Sequence, residues 1–194
     1  MRCIAVLIAL SMFLAGCSAE EELSFGGEDL RAQDSFHFTL EDSAGGLWHL
    51  ENHSGKTVLL VFMFSNCQET CPIVESNVAW VLEQLTPEEM NELYVVSVTM
   101  DYRYDSPQVL EDYKADYNYT WPHLTGSKKA LETVWEPYGI VPMEYQNETT
   151  NDYDIAHQQY TYILDDDLKL RVRWSGDDWP VDLFLKDLRT VMSI

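Results

Sequence analysis

From Phe36 the chain alternates apolar and polar positions through F-H-F-T-L, turns at Gly45-Gly46 and alternates again through L-W-H-L. That pattern predicts an N-terminal β-hairpin. After Gly55-Lys56 the run T-V-L-L-V-F-M-F is continuously apolar, as in a strand buried on both faces. It is therefore placed at the centre of a sheet. Val74, Val78, Val81, Leu82 and Leu85 recur at helical spacing, and Pro72 suits a first helical turn, so a helix is predicted from Pro72 to Leu85. The strand L-Y-V-V-S-V-T-M follows. Further helices are expected from Ser106-Pro107 to about Tyr117 and from Ser127 to Tyr138, the second ending at Gly139. Residues 140–156, with Pro142 and the polar run Q-N-E-T-T-N-D, read as a long loop. The strand Q-Y-T-Y-I-L, a D-D-D turn, the strand L-K-L-R-V-R-W and an amphipathic helix opening near Trp179-Pro180 complete the pattern. Strands alternating with helices in this way specify an α/β sheet with helices on both faces.

The N-terminus departs from this pattern. Met1-Arg2 is a short positive start, Cys3 to Gly16 is an almost wholly apolar run of 14 residues, and Leu14-Ala15-Gly16-Cys17 follows. The run is shorter than the roughly 20 residues of a membrane-spanning helix and suits a signal segment. Residues 1–16 are accordingly expected to be a lipoprotein signal peptide, with Cys17 the lipidated residue of the mature chain. An ordinary signal peptide or an uncleaved anchor is the alternative. Residues 17–34 are acidic, contain two glycines and lack a periodic apolar face, and are expected to form a flexible tether. The folded domain is then expected to span residues 35–194.

The whole chain carries 33 acidic against 12 basic residues; removal of Arg2 with the signal leaves 11 − 33 = −22. Such a charge repels phosphate backbones and lacks the basic patch that nucleic-acid binding needs, so nucleic acid is excluded as a partner. It favours cationic partners, metal ions or a salty environment. Asn-x-Ser/Thr sequons occur at Asn52, Asn118 and Asn147; chance accounts for them unless the source glycosylates exported proteins.

With Cys3 removed and Cys17 acylated, Cys67 and Cys71 are the remaining pair, and they lie in F-S-N-C-Q-E-T-C-P between a buried strand and a helix start. A disulfide there closes a loop too small to stabilise much, so chemistry is the better reading than scaffolding. The amides at a helix N-terminus favour thiolate, the form that binds metal or attacks disulfides. Two sulfurs four residues apart point the same way if the intervening chain is near-helical. Two soft thiolates select Cu(I), Zn(II) or iron–sulfur, and they leave the coordination shell short of a third ligand. Of five histidines, His37, His49, His53 and His123 suit surface or packing roles. His157 sits just before the strand Q-Y-T-Y-I-L, in the loop that a thioredoxin-type fold places beside the cysteine turn.

From about Phe36 to the C-terminus the chain resembles the Sco/SenC proteins, thioredoxin-fold copper-binding proteins associated with cytochrome c oxidase assembly. The resemblance is carried by Cys67, Cys71 and Pro72 as C-x-x-x-C-P, by His157, and by Gly55-Lys56. M-D-Y-R-Y-D-S-P, which contains Asp101, Asp105, Ser106 and Pro107, and Leu124 to Ser127 extend it. Tyr102 stands where the family has proline, Gln68-Glu69-Thr70 replaces the commoner Pro-Asp-Val, and Ile155-Ala156 interrupts the usual Asp-His pairing.

The resemblance implies a thioredoxin-like fold, a central mixed β-sheet flanked by helices with an N-terminal β-hairpin. It also implies copper, as Cu(I) or Cu(II), held by Cys67, Cys71 and His157, with Asp101 and Asp154 as candidates for orienting the site through hydrogen bonds. The implied role is delivery of copper to the CuA site of cytochrome c oxidase subunit II or to another cuproprotein, from the extracytoplasmic face of a membrane held by the lipid anchor. The rival is a thiol–disulfide oxidoreductase that uses Cys67 and Cys71 as its redox pair on the acceptor's cysteines. A peroxiredoxin shares the fold, but its Pro-x-x-x-Thr-x-x-Cys approach is absent here.

Overall fold

A computed structural model describes residues 23–147 and 152–194. Its principal element is an eight-stranded mixed sheet in the order β1-β10-β9-β4-β5-β6-β2-β3. The strand β4, Thr57–Met63, occupies the middle and is buried at every position. It runs parallel to β5, Leu93–Thr99, and antiparallel to β9, Tyr160–Leu164. Burying each large apolar side chain of such a strand contributes roughly 1.5–3 kcal/mol, so β4 is the strongest single determinant of the sheet. The expected N-terminal hairpin is present as β2, Thr39–Asp42, and β3, Leu47–His49, and it joins the sheet through β6, His123–Thr125. β6 was not anticipated, being only three residues long.

The helix α1, Thr70–Glu83, begins two residues before Pro72. A short α2, Pro87–Asn91, also unanticipated, is closed by a reciprocal capping box between Thr86 and Glu89. Ser106 caps α3, Pro107–Tyr117, and Ser127 caps α4, Lys128–Trp135. The last helix, α5, Val181–Met192, lies beside α1 and against β9 and β10, the latter spanning Lys169–Ser175.

Two expectations need correction. The acidic stretch assigned to a tether through residue 34 enters the sheet as β1, Glu28–Asp34, pairing antiparallel with β10. Backbone pairing with β10 and the burial of Leu30 hold it there, and two of its acidic residues meet cations of that strand, Glu28 with Arg173 and Asp34 with Lys169. The earlier part of that stretch, with Cys17 and the signal segment, falls on residues 1–22, outside the described residues. Residues 140–156 are likewise not a plain loop, since β7, Met143–Asn147, and β8, Asp152–Ala156, pair as a separate antiparallel hairpin. Polar side chains conceal this hairpin because backbone bonds, not an apolar face, define it.

Asp187 on α5 is almost fully buried and takes the amides of Gly26 and Gly27 and the indole N–H of Trp174. It pins the entry to β1 beneath the sheet edge. Asp187→Ala leaves those donors unpaired and is expected to lower unfolding stability by about 3 kcal/mol. Urea denaturation checks this, and a loss below about 1 kcal/mol contradicts it.

Candidate metal centre

The buried strand β4 ends at Met63, and Phe64, also buried, leads into the cysteine turn. Ser65 is held there by Asp105, whose carboxylate accepts from the Ser65 amide at 3.1 Å and from its hydroxyl. The Thr99 hydroxyl, at the end of β5, donates to the same carboxylate. Burial pushes the Asp105 carboxyl up to about 6, opposed by these hydrogen bonds from Ser65 and Thr99. Asp105 stood in the sequence motif without a role; the structure makes it the anchor of the cysteine turn.

Glu69 occupies the N-cap of α1 but provides no side-chain cap. The Cys67 sulfur takes that place, accepting from the Cys71 amide at 3.3 Å, with the Thr70 hydroxyl 3.6 Å away. The Cys67 thiol is drawn down to about 3, first by its hydrogen bond with Cys71 and further by His157, the Cys71 amide and Thr70, against the opposing effect of burial. Cys71 is fully buried, and burial followed by the neighbouring Cys67 pushes its thiol well above the ordinary value. Both effects favour the proton on Cys71 over Cys67. Cys71 Sγ lies 3.9 Å from Gln159 Oε1, and Gln159 is fixed through its amide nitrogen to the Phe62 carbonyl at 2.7 Å. Sequence reasoning passed over Gln159 because nothing in its local pattern distinguishes it.

His157 follows β8 directly, and its ring stands edge-on to Phe64 with centroids 5.5 Å apart. Its Nδ1 is buried without a hydrogen-bond partner. The ligand atoms of Cys67, Cys71 and His157 lie within 4.8 Å of one another. The two cysteines are not joined by a disulfide. Cys67 and His157 line an open cleft of about 570 Å³ with Gln68, Glu69, Tyr145 and Asp154, whereas Cys71 is fully buried. Two sulfurs and one imidazole, its Nδ1 without a partner, form a donor set for a soft cation, and the cleft leaves room for an exchanging ligand.

The orienting candidates fall elsewhere. Asp101 is buried and holds its own turn, accepting from the amides of Arg103 and Tyr104 and from the Tyr153 hydroxyl. Asp154 lines the cleft and accepts from Tyr145 at 3.1 Å. Of the four histidines set aside, His37 is half exposed, His49 bonds Thr39, and His53 stacks on Trp48. His123 is fully buried and bonds Glu75 at 2.9 Å. Among the described residues no helix is long and apolar enough to cross a membrane.

These features define a thioredoxin-like protein with an S₂N donor cluster beside an open cleft at a strand-to-helix turn. The chain belongs to the SCO1/SenC family, whose model matches residues 27–193. Mitochondrial SCO1 of Saccharomyces cerevisiae is 29% identical over 129 residues, covering 66% of this chain and 44% of that one. The match thus spans less than half of that relative. The solution structure of apo Sco1 from Thermus thermophilus superposes with a TM-score of 0.76 at 24% identity, covering 88% of this chain and 98% of the other. The crystal structure of yeast Sco1 with copper bound gives 0.71 at 23% identity, covering 81% and 87%.

The uneven sharing of the proton is directly measurable. At pH 5 an ordinary thiol is almost wholly protonated, whereas Cys67 remains thiolate until the pH falls toward its lowered value. Iodoacetamide at pH 5 is expected to label Cys67 and spare Cys71, as read by peptide mass mapping; equal labelling contradicts the assignment.

Proposed function

We propose that the protein is a copper metallochaperone in which Cys67, Cys71 and His157 hold the ion for delivery to another cuproprotein. The convergence of the three donors within 4.8 Å supports this reading most strongly. Membership of the SCO1/SenC family and the copper held by yeast Sco1 point the same way. By the family resemblance, the acceptor is the CuA site of cytochrome c oxidase subunit II or a similar extracytoplasmic copper site. The signal-like N-terminus fits a lipid anchor at Cys17 on the outer face of a membrane. Copper is cargo here, and each side chain has a separable task.

Cys67 offers a ready thiolate, so it is the first sulfur to engage an incoming ion. Cys71 must release its proton before it can bind, which makes closure of the site dependent on the ion's own charge. His157 completes the set, and its position beside the open cleft lets an acceptor's thiolate or imidazole enter as one of the three departs. Ligand exchange of this kind moves the ion without releasing it to water.

A second reading has its own support. A low-pKa cysteine beside a high-pKa one is also the arrangement of a thiol–disulfide reductant, in which Cys67 attacks and Cys71 resolves. Both acts can serve one acceptor in turn.

One equivalent of Cu(II) added to the reduced protein is expected to give an intense thiolate-to-copper absorption band, lost in Cys67→Ser and in Cys71→Ser. His157→Ala is expected to weaken copper retention against a chelator by at least about tenfold while leaving thiol exchange intact. Unchanged retention in that variant rules out His157 as the third ligand.

A further inference from the structure

The geometry points to Tyr153, supported by Arg103, as the residue that positions His157 over the cysteine pair by latching the β7–β8 hairpin to the turn after β5. The inference rests on the metal-binding reading of the cleft for its purpose but on separate contacts for its geometry. Among the described residues, β7 and β8 pair only with each other and do not join the main sheet. His157 emerges from the end of β8, so whatever fixes the hairpin fixes the imidazole. The pairing sets Gln146 opposite Tyr153 and Glu144 opposite Ile155, which puts these four on one face of the hairpin. Tyr145 and Asp154, on the other face, line the cleft.

The first face meets the 101–104 turn. The Tyr153 hydroxyl donates to Asp101 Oδ2, and Asp101 is 2% exposed with its other oxygen held by two backbone amides. The Arg103 guanidinium lies 4.6 Å from the Tyr153 ring centroid and reaches Glu144 Oε2 at 2.6 Å. Ile155, on the same face, is buried and also borders the cleft. A hydrogen bond to a buried carboxyl group outweighs a half-exposed ion pair, so the hydroxyl is the stronger half of the latch. The same turn reaches the cysteines: the Asp101 carbonyl accepts from the Asp105 amide at 3.1 Å, and Asp105 holds Ser65. One turn therefore sets the histidine and the cysteines in register with each other.

The edge-on Phe64 ring provides a metal-free readout, because its ring current displaces the His157 ring protons. In the intact chain, Tyr153→Phe is expected to move the His157 Cε1–H and Cδ2–H NMR signals toward those of a solvated histidine. Copper loss to a chelator should become about tenfold faster, while the circular dichroism spectrum stays as in the parent. Arg103→Gln is expected to cause a smaller shift in the same direction, and it carries the test if the Phe variant does not fold. Unmoved His157 signals in the folded Tyr153→Phe chain, or in Arg103→Gln where that carries the test, overturn the latch. A parent chain that fails to retain copper refutes the proposed function instead, since the NMR shift needs no metal.

Discussion

Water is excluded from both faces of β4, and that exclusion dictates where the chain can next turn. Its last residues hand the backbone to Phe64 and Ser65 at a fixed point on the sheet, so the first turn of α1 starts beside the ends of β5 and β9. The helix amides there face a sulfur in place of the side-chain oxygen that normally caps a helix. Capping by Cys67 couples helix geometry to thiolate chemistry. A change that moved α1 would also change the charge on the site.

Buried carboxylates extend this control sideways. Asp105 ties the cysteine turn to the end of β5, and Asp101, four residues earlier, ties the histidine hairpin to the same place. Each is costly to bury, and each is compensated by several donors, an arrangement that favours one geometry over many. A further buried carboxylate, Glu75, lies one helical turn beyond Cys71, where His123, Ser97 and Tyr113 satisfy it. The site is thus supported by polar networks on more than one side, while its mouth stays open. Rigid support with an open mouth suits a protein that must hold an ion and then yield it.

What the sequence disclosed follows physical lines. Elements with a strong apolar pattern, continuous in β4 and at helical spacing in α1, were legible because the pattern of the residues is the cause of the fold. So were Cys67, Cys71 and His157, whose chemistry and positions beside buried elements singled them out. β1 was hidden because an edge strand paired through its backbone, with Glu28 and Asp34 meeting Arg173 and Lys169, looks like any acidic linker until its partner strand is in place. The β7–β8 hairpin escaped because its strands pair with each other and meet the rest of the chain through polar contacts to the 101–104 turn. Asp105, Gln159 and Tyr153 act through contacts 40 or more residues away in sequence, and no local pattern announces such a partner. Asp101, expected as an orienting carboxylate, bonds the hairpin through Tyr153 and not the imidazole.

The central claim is that two sulfurs and one imidazole bind a single ion. X-ray absorption at the copper edge of the loaded, reduced protein tests it most directly, because it counts the neighbours of the metal by element. The account requires two sulfur scatterers and one imidazole, with one sulfur lost in Cys71→Ser and the imidazole lost in His157→Ala. A first shell of oxygen and nitrogen alone, or one that keeps its imidazole without His157, would contradict it.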